Sequence, residues 1–239
     1  DYSLLSDKIK RIYIPLDKFI TNKEIVKKIE NRFELFIEMP LIILQKDIKM
    51  YDEKIKQILE LYKIKGFVLS NVSDYFLIEK YKEKYEFIGN YTLNIFNVNA
   101  CNVIKNMGVD VITPSIELSN MERIKLIEKC NIKCEEIPLI NMKYCIKDNK
   151  TICNKENNKC YSIIDINNLK EYECEIGENP ILSKIYGSKK ISIEKHAKES
   201  SARIFIHNEN IKEINDIIEN IYTGKYFLGS NYKNDIIVK

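Results

Sequence analysis

Two rhythms of apolar and polar positions alternate along this chain. Short runs rich in β-branched and aromatic residues read as strands: RIYIPL (11–16), FELFIEMP (33–40) and GFVLSN (66–71). Between them lie stretches with helical spacing. NKEIVKKIENR (22–32) is one, and DEKIKQILELYKIK (52–65) sets Ile55, Ile58, Leu59 and Tyr62 on a single face. SDYFLIEKYKEKY (73–85) is helical, EFIGNYTLNIFN (86–97) strand-like, and NACNVIKNMG (99–108) helical with a stop at Gly108. VDVITPS (109–115) is the fifth strand. Ser119 and Glu122 make a capping box ahead of MERIKLIEKC, and CEEIPLINM (134–142) is the sixth strand. Further on, NPILSKIYG (179–187) reads as a strand, ISIEKHAKES (191–200) as a helix and ARIFIH (202–207) as an eighth strand. The last helix, IKEINDIIENIYTG (211–224), has an isoleucine stripe, Asn210 as its cap and Gly224 as its end.

Eight alternations of strand and helix imply a parallel sheet. In a chain of 239 residues they predict a TIM-like (β/α)8 barrel forming one domain over 1–239. The competing open, doubly wound sheet lacks a GxGxxG after its first strand, and no Walker or HExxH motif occurs. The rhythm breaks at 143–176. This segment reads as a cysteine-bearing insertion between strands 6 and 7, and its YSIIDI and KEYECEI runs can pair as a β-hairpin.

Composition adds limits. Apolar residues are 45% and charged residues 31% of the chain, enough for a sizeable core. The net charge of +3 does not force a general affinity for nucleic acid. No signal sequence and no apolar run near the ~20 residues of a membrane span is present, so a cytoplasmic protein without membrane partners is expected. A chain starting at Asp1 reads as a piece of a longer protein.

Chemistry concentrates in the cysteines. There are seven, an odd number that argues against a fully paired disulfide framework. Cys145, Cys153, Cys160 and Cys174 lie among lysines, asparagines and carboxylates, where packing does not explain a thiol. Four thiolates suit a four-iron cluster or a tetrahedral zinc site, and free surface thiols are the plain alternative. Cys101 lies in a helical run with Val103 and Ile104, Cys130 and Cys134 flank a helix end and the next strand, and all three read as buried small residues. His196 reads as solvated, and His207 ends the eighth strand. Asp17, Glu38 and Glu117 fall at predicted strand ends, with Asn97 and Arg203 nearby by the same logic. A barrel gathers its functional groups there.

Residues 86–228 resemble the collagenase-like peptidase family (peptidase family U-32). The resemblance lies in Leu93-Asn94 with Asn97, Ser115-Ile116-Glu117-Leu118, Met142 with Cys145, the spaced cysteines, Asn179-Pro180-Ile181-Leu182, and Arg203-Ile204-Phe205 with Glu209. The Asp-Arg pair common after the third cysteine of that family is missing, since Ile166 follows Asp165. The resemblance implies the C-terminal barrel of a long member, with upstream domains of the same polypeptide as partners. It implies support of RNA hydroxylation with a [4Fe-4S] cluster on Cys145, Cys153, Cys160 and Cys174, zinc being the lesser cofactor. The alternatives are a peptidase acting on collagen-like or unfolded protein and a non-catalytic binding module. Asn97, Glu117 and Arg203 become the expected substrate-binding residues. No catalytic nucleophile is implied.

Overall fold

A computed structural model describes residues 4–148, 161–165, 170–176, 182–192, 200–206 and 210–223. Six parallel strands follow one another in chain order: β1 (Arg11–Pro15), β2 (Glu34–Glu38), β3 (Ile64–Leu69), β4 (Glu86–Gly89), β5 (Val111–Ile112) and β6 (Lys133–Asp148). β10 (Ser200–Ile204) adds a seventh, parallel to the first part of β6. The result is an α/β fold whose parallel sheet curls into a half-barrel.

Helices cross between the strands. They are α1 (Leu16–Thr21) and α2 (Lys23–Ile29), α3 (Ile48–Leu61), α4 (Asp74–Ile78), α5 (Val98–Asn106) and α6 (Asn120–Lys129), with α7 (Ile211–Tyr222) after β10. Alternation along each strand divides the sheet into two faces. Leu35 and Ile37, Phe67 and Leu69, Phe87 and Ile112 pack with Phe19, Val26, Ile55 and Ile58 of the helices. The residues between them form a separate cluster of Phe36, Val68, Ile88 and Val111, with Tyr13 against it. That second cluster contains no helical residue, so it lies on the concave, inner face.

Local sequence accounts for several of these elements. α3 buries Tyr51, Ile55 and Ile58, spaced by four and three. Ser119 and Glu122 close the capping box at α6, and Asn210 with Glu213 closes another at α7. Gly108 follows α5 at φ +90°, a conformation that favours glycine. Gly66 has a different reason. A Cβ there would stand 2.0 Å from the Glu86 carbonyl oxygen, so β3 and β4 approach each other only because this side chain is absent.

The chain departs from the expected eight-stranded barrel after β6. That strand runs for 16 residues, and its second half leaves the half-barrel to pair antiparallel with β9 (Leu182–Ser192). β9 pairs antiparallel with β8 (Lys170–Ile176), and β8 with β7 (Tyr161–Asp165). The expected seventh strand of the barrel therefore belongs to this antiparallel extension. The expected helix at 191–200 begins on the last two residues of β9, and 193–199 lie outside the described residues. Among the described residues no ladder joins β10 to β1. Side chains cross that seam instead.

Candidate functional site

A row of polar residues rings the C-terminal ends of the parallel strands, where α/β barrels carry their chemistry. Glu38 ends β2, and Ser70, Asn90 and Thr113 each stand one residue beyond β3, β4 and β5. Arg203 comes from β10, and Glu135 lies inside β6. The inner cluster of Phe36, Val68, Ile88 and Val111 forms an apolar floor.

Asn90, only 2% exposed, is the junction of this row. Its Oδ1 accepts from the Tyr91 backbone N–H at 2.9 Å and from Arg203 at 3.0 Å. Its Nδ2 donates to Glu38 Oε1 at 3.2 Å and to Ser70 Oγ at 3.3 Å. Both donors and both lone pairs are occupied, so Asn90 acts as a positioning residue. Its place follows from the ladder, because the Asn90 N–H continues β4 onto the Leu69 carbonyl.

Arg203 is 6% exposed. Its Nη2 donates to Glu38 Oε1 at 3.2 Å. The guanidinium carbon lies 4.6 Å from the Tyr13 ring centroid and 4.7 Å from that of Phe205. Two aromatic faces and one carboxylate thus offset the burial of this charge. Tyr91 stands edge-on to Phe205 at 5.6 Å, and burial followed by the Glu38 charge pushes its phenol up to about 12.

Glu135 sits on the inner face, 5% exposed. The Tyr13 hydroxyl donates to its Oε1, a side-chain link between β1 and β6. Its Oε2 is buried without a hydrogen-bond partner among the described residues, and so is Thr113 Oγ1. Burial pushes the Glu135 carboxyl up, with Arg203 opposing. Burial and the neighbouring Glu135 push the Tyr13 phenol up as well. At the opposite end of the strands Arg11 pairs with Glu34 at 3.1 Å and Glu86 at 2.8 Å.

Of the residues singled out by sequence, Arg203 and Glu38 meet in this site. Asn97 is exposed, and its Oδ1 accepts from the Ala100 N–H at 2.9 Å to cap α5. Glu117 is exposed, and its backbone N–H donates to Ser115 Oγ at 3.2 Å. Neither is among the described partners of Arg203, which are Asn90 and Glu38. Asp17 pairs with Lys54 at 2.5 Å. The motif residues Asn94 and Ser115 bond to each other at 2.7 Å, bracing the loops that leave β4 and β5. His196, His207, Cys153 and Cys160 lie outside the described residues.

Sequence reasoning passed over Tyr13, Asn90, Thr113 and Glu135. A strand-alternation argument reaches them: each shares the inward parity of Phe36, Val68, Ile88 or Val111 on its own or a neighbouring strand.

Cys145 on β6 and Cys174 on β8 both stand in register with Ile185 of β9, on opposite sides of it. Two strand spacings separate their backbones, about 9–10 Å. That exceeds the span of a direct disulfide.

The class that emerges is an α/β half-barrel with a polar, arginine-centred site at its C-terminal mouth. No protein-family model matches the chain, and no curated protein does. Among solved structures it is similar to the U32 peptidase Mk0906, with 16% identity and a TM-score of 0.45 over 57% of this chain and 64% of that one. It is also similar to chitinase ChiW from Paenibacillus sp. str. FPU-7, a cell-surface-expressed multi-modular enzyme, with 9% identity and a TM-score of 0.41 over 85% of this chain and 35% of that one. The chain thus spans less than two thirds of the length of either. No helix among the described residues is long and apolar enough to cross a membrane.

Proposed function

We propose that the mouth of the half-barrel is a substrate site in which Arg203 receives a carbonyl or anionic oxygen. The observation that carries this reading is the setting of Arg203. It is 6% exposed and held in place by Asn90, Glu38 and two rings, yet it commits only two of its N–H groups to described partners. Glu38 shares one oxygen between Asn90 and Arg203, and its side chain is 21% exposed. Glu135 supplies a carboxyl with raised proton affinity on the inner wall. An anchoring cation beside two carboxylates suits proton transfer to or from a bound polar group.

Within this reading, the sequence resemblance makes the chain the C-terminal barrel of a U-32-type protein. Its role is to support hydroxylation of RNA, with upstream domains of the same polypeptide as partners. Cys145, Cys153, Cys160 and Cys174 hold a [4Fe-4S] cluster, which when bound supplies redox chemistry. What supports this assignment is the donor set, four soft thiolates of the kind that bind iron–sulfur clusters. Zinc is the alternative for the same donors.

The test is anaerobic purification followed by iron and sulfide analysis and a visible spectrum. The thiolate-to-iron charge-transfer band should appear and be lost in Cys153→Ala; unchanged iron in that variant rejects the cluster assignment. The substrate site is tested separately by binding of a short single-stranded RNA to wild type and Arg203→Met. Affinity should fall at least tenfold in the variant, and equal affinity rejects the role of Arg203.

A second reading is peptidase action, favoured by the two carboxylates at the mouth. It requires cleavage of gelatin or an unfolded protein that persists after iron removal. If neither RNA binding nor cleavage is found, the domain is a non-catalytic binding module.

A further inference from the structure

Three thiols outside the candidate site lie together. Cys101 of α5 and Cys134 of β6 are buried, at 1% and 4% exposure, and Cys130, the residue that ends α6, is partly exposed. The Cys130 and Cys134 sulfurs stand 3.3 Å apart. They flank the Ile132 carbonyl, at 3.6 Å and 3.5 Å, and Cys130 also lies 3.4 Å from the carbonyl of Ile127. Cys101 is close enough for its titration to depend on Cys130; burial first, then that neighbour, pushes its thiol up to about 12. Among the described residues no group of three or more His, Cys, Asp or Glu is arranged for a metal ion.

We propose that Cys130 and Cys134 are a redox-modification site: Cys130 takes up a low-molecular-weight disulfide and Cys134 resolves it into a protein disulfide. In the first step the Cys130 thiolate attacks RSSR, forming a mixed disulfide and expelling RS⁻. In the second, Cys134 loses its proton and attacks the Cys130 sulfur, expelling a second RS⁻. Two protein thiols are oxidised, one RSSR is reduced, and two RSH result. The division of labour follows from exposure. Only Cys130 meets solvent, whereas Cys134 is already in van der Waals contact with the sulfur it must attack. Burial holds the Cys134 proton tightly, so the second step should accelerate as pH rises. The bond ties the end of α6 to the start of β6, one residue before Glu135.

The experiment uses the native chain and oxidised glutathione as the probe, followed by acid quenching, alkylation and tryptic mapping. Trypsin cuts after Lys129, Lys133 and Lys143, so the proposed bond links CNIK to CEEIPLINMK. That crosslinked pair is the expected product, forming faster at higher pH and unaffected by Cys101→Ser. Cys134→Ser should instead accumulate glutathione on Cys130. The proposal is overturned if the wild type stops at a Cys130–glutathione adduct, if Cys130 links to Cys101, or if Cys130 does not react. The wild-type map decides the question even if a variant fails to fold.

Discussion

Arg203 on β10 and Glu38 at the end of β2 are 165 residues apart in sequence and meet at 3.2 Å across the mouth of the half-barrel. The pair is asymmetric, because the Arg203 side chain is 6% exposed and that of Glu38 21%. Removing one partner from a buried pair costs most when the charge left behind cannot hydrate. Glu38→Ala, which leaves the buried Arg203 charge with Asn90 and the two rings but without this carboxylate, should therefore destabilise by about 3 kcal/mol. Arg203→Met, which leaves Glu38 facing water and keeps the packing against Tyr13 and Phe205, should cost distinctly less. Urea unfolding of both variants measures this, and equal losses would remove the asymmetry.

Asn90 should tolerate substitution poorly. Its side chain makes four hydrogen bonds to Tyr91, Arg203, Glu38 and Ser70. Asn90→Ala leaves buried partners unsatisfied, at about 1–3 kcal/mol each before relaxation, so a loss of at least about 2 kcal/mol is expected. Ser70→Ala removes one long contact and should cost under about 1 kcal/mol. Thermal unfolding of the two variants tests the ranking.

Asp74 gives a pH dependence of unusual sign. It is 2% exposed, and burial raises its pKa from 3.8 to about 6, against the N–H groups of Ser70 and Asn71 that it accepts. Because the folded value lies above the unfolded one, the folded state binds the proton more tightly. The associated stability is fully present below about pH 4 and is lost as pH rises through about 6, amounting to about 3 kcal/mol. Asp74→Asn should remove that part of the decline, so wild type and variant converge at low pH. A stability profile between pH 4 and 7 with the same slope in both proteins would contradict this.

Gly66→Ala should be among the most damaging single changes in the core. Its new methyl group would meet the Glu86 carbonyl oxygen at 2.0 Å, a backbone atom that cannot step aside without parting β3 from β4. A loss of at least about 3 kcal/mol is expected. Gly89→Ala is the control: there the nearest atoms are side-chain methyls at 3.0 Å and beyond, and the loss should be smaller. Comparable denaturation midpoints for the two would refute the close-approach argument.

Much of the half-barrel was legible in the chain. β1 to β6, the helices between them, the capping box at Ser119 and the stop at Gly108 follow from periodicity and local hydrogen-bonding chemistry, although the strand expected over 86–97 ends at Gly89 and gives way to a 3-10 turn at Tyr91–Leu93. The strand at 182–192 was legible as a strand but not as an antiparallel one. Its direction depends on which edge it meets, and β6 offers that edge only because it runs past the end of the parallel sheet.

The same limit applies to the site. Arg203 and Glu38 could be nominated singly because both lie near strand ends, where a parallel α/β sheet exposes its chemistry. Asn90, Glu135 and Tyr13 resemble ordinary polar residues in a strand pattern. Their roles come from curvature, which brings β1 close enough to β6 for Tyr13 to reach Glu135 and close enough to β10 for Arg203 to stack on Tyr13. Sequence by itself determined the alternation of elements and which face of each strand is apolar, because these depend on residues two to four apart. Tertiary structure decided which polar side chains share one site. Contacts across 113 to 165 residues depend on how far the sheet curls and where β6 leaves it, and no local pattern encodes either.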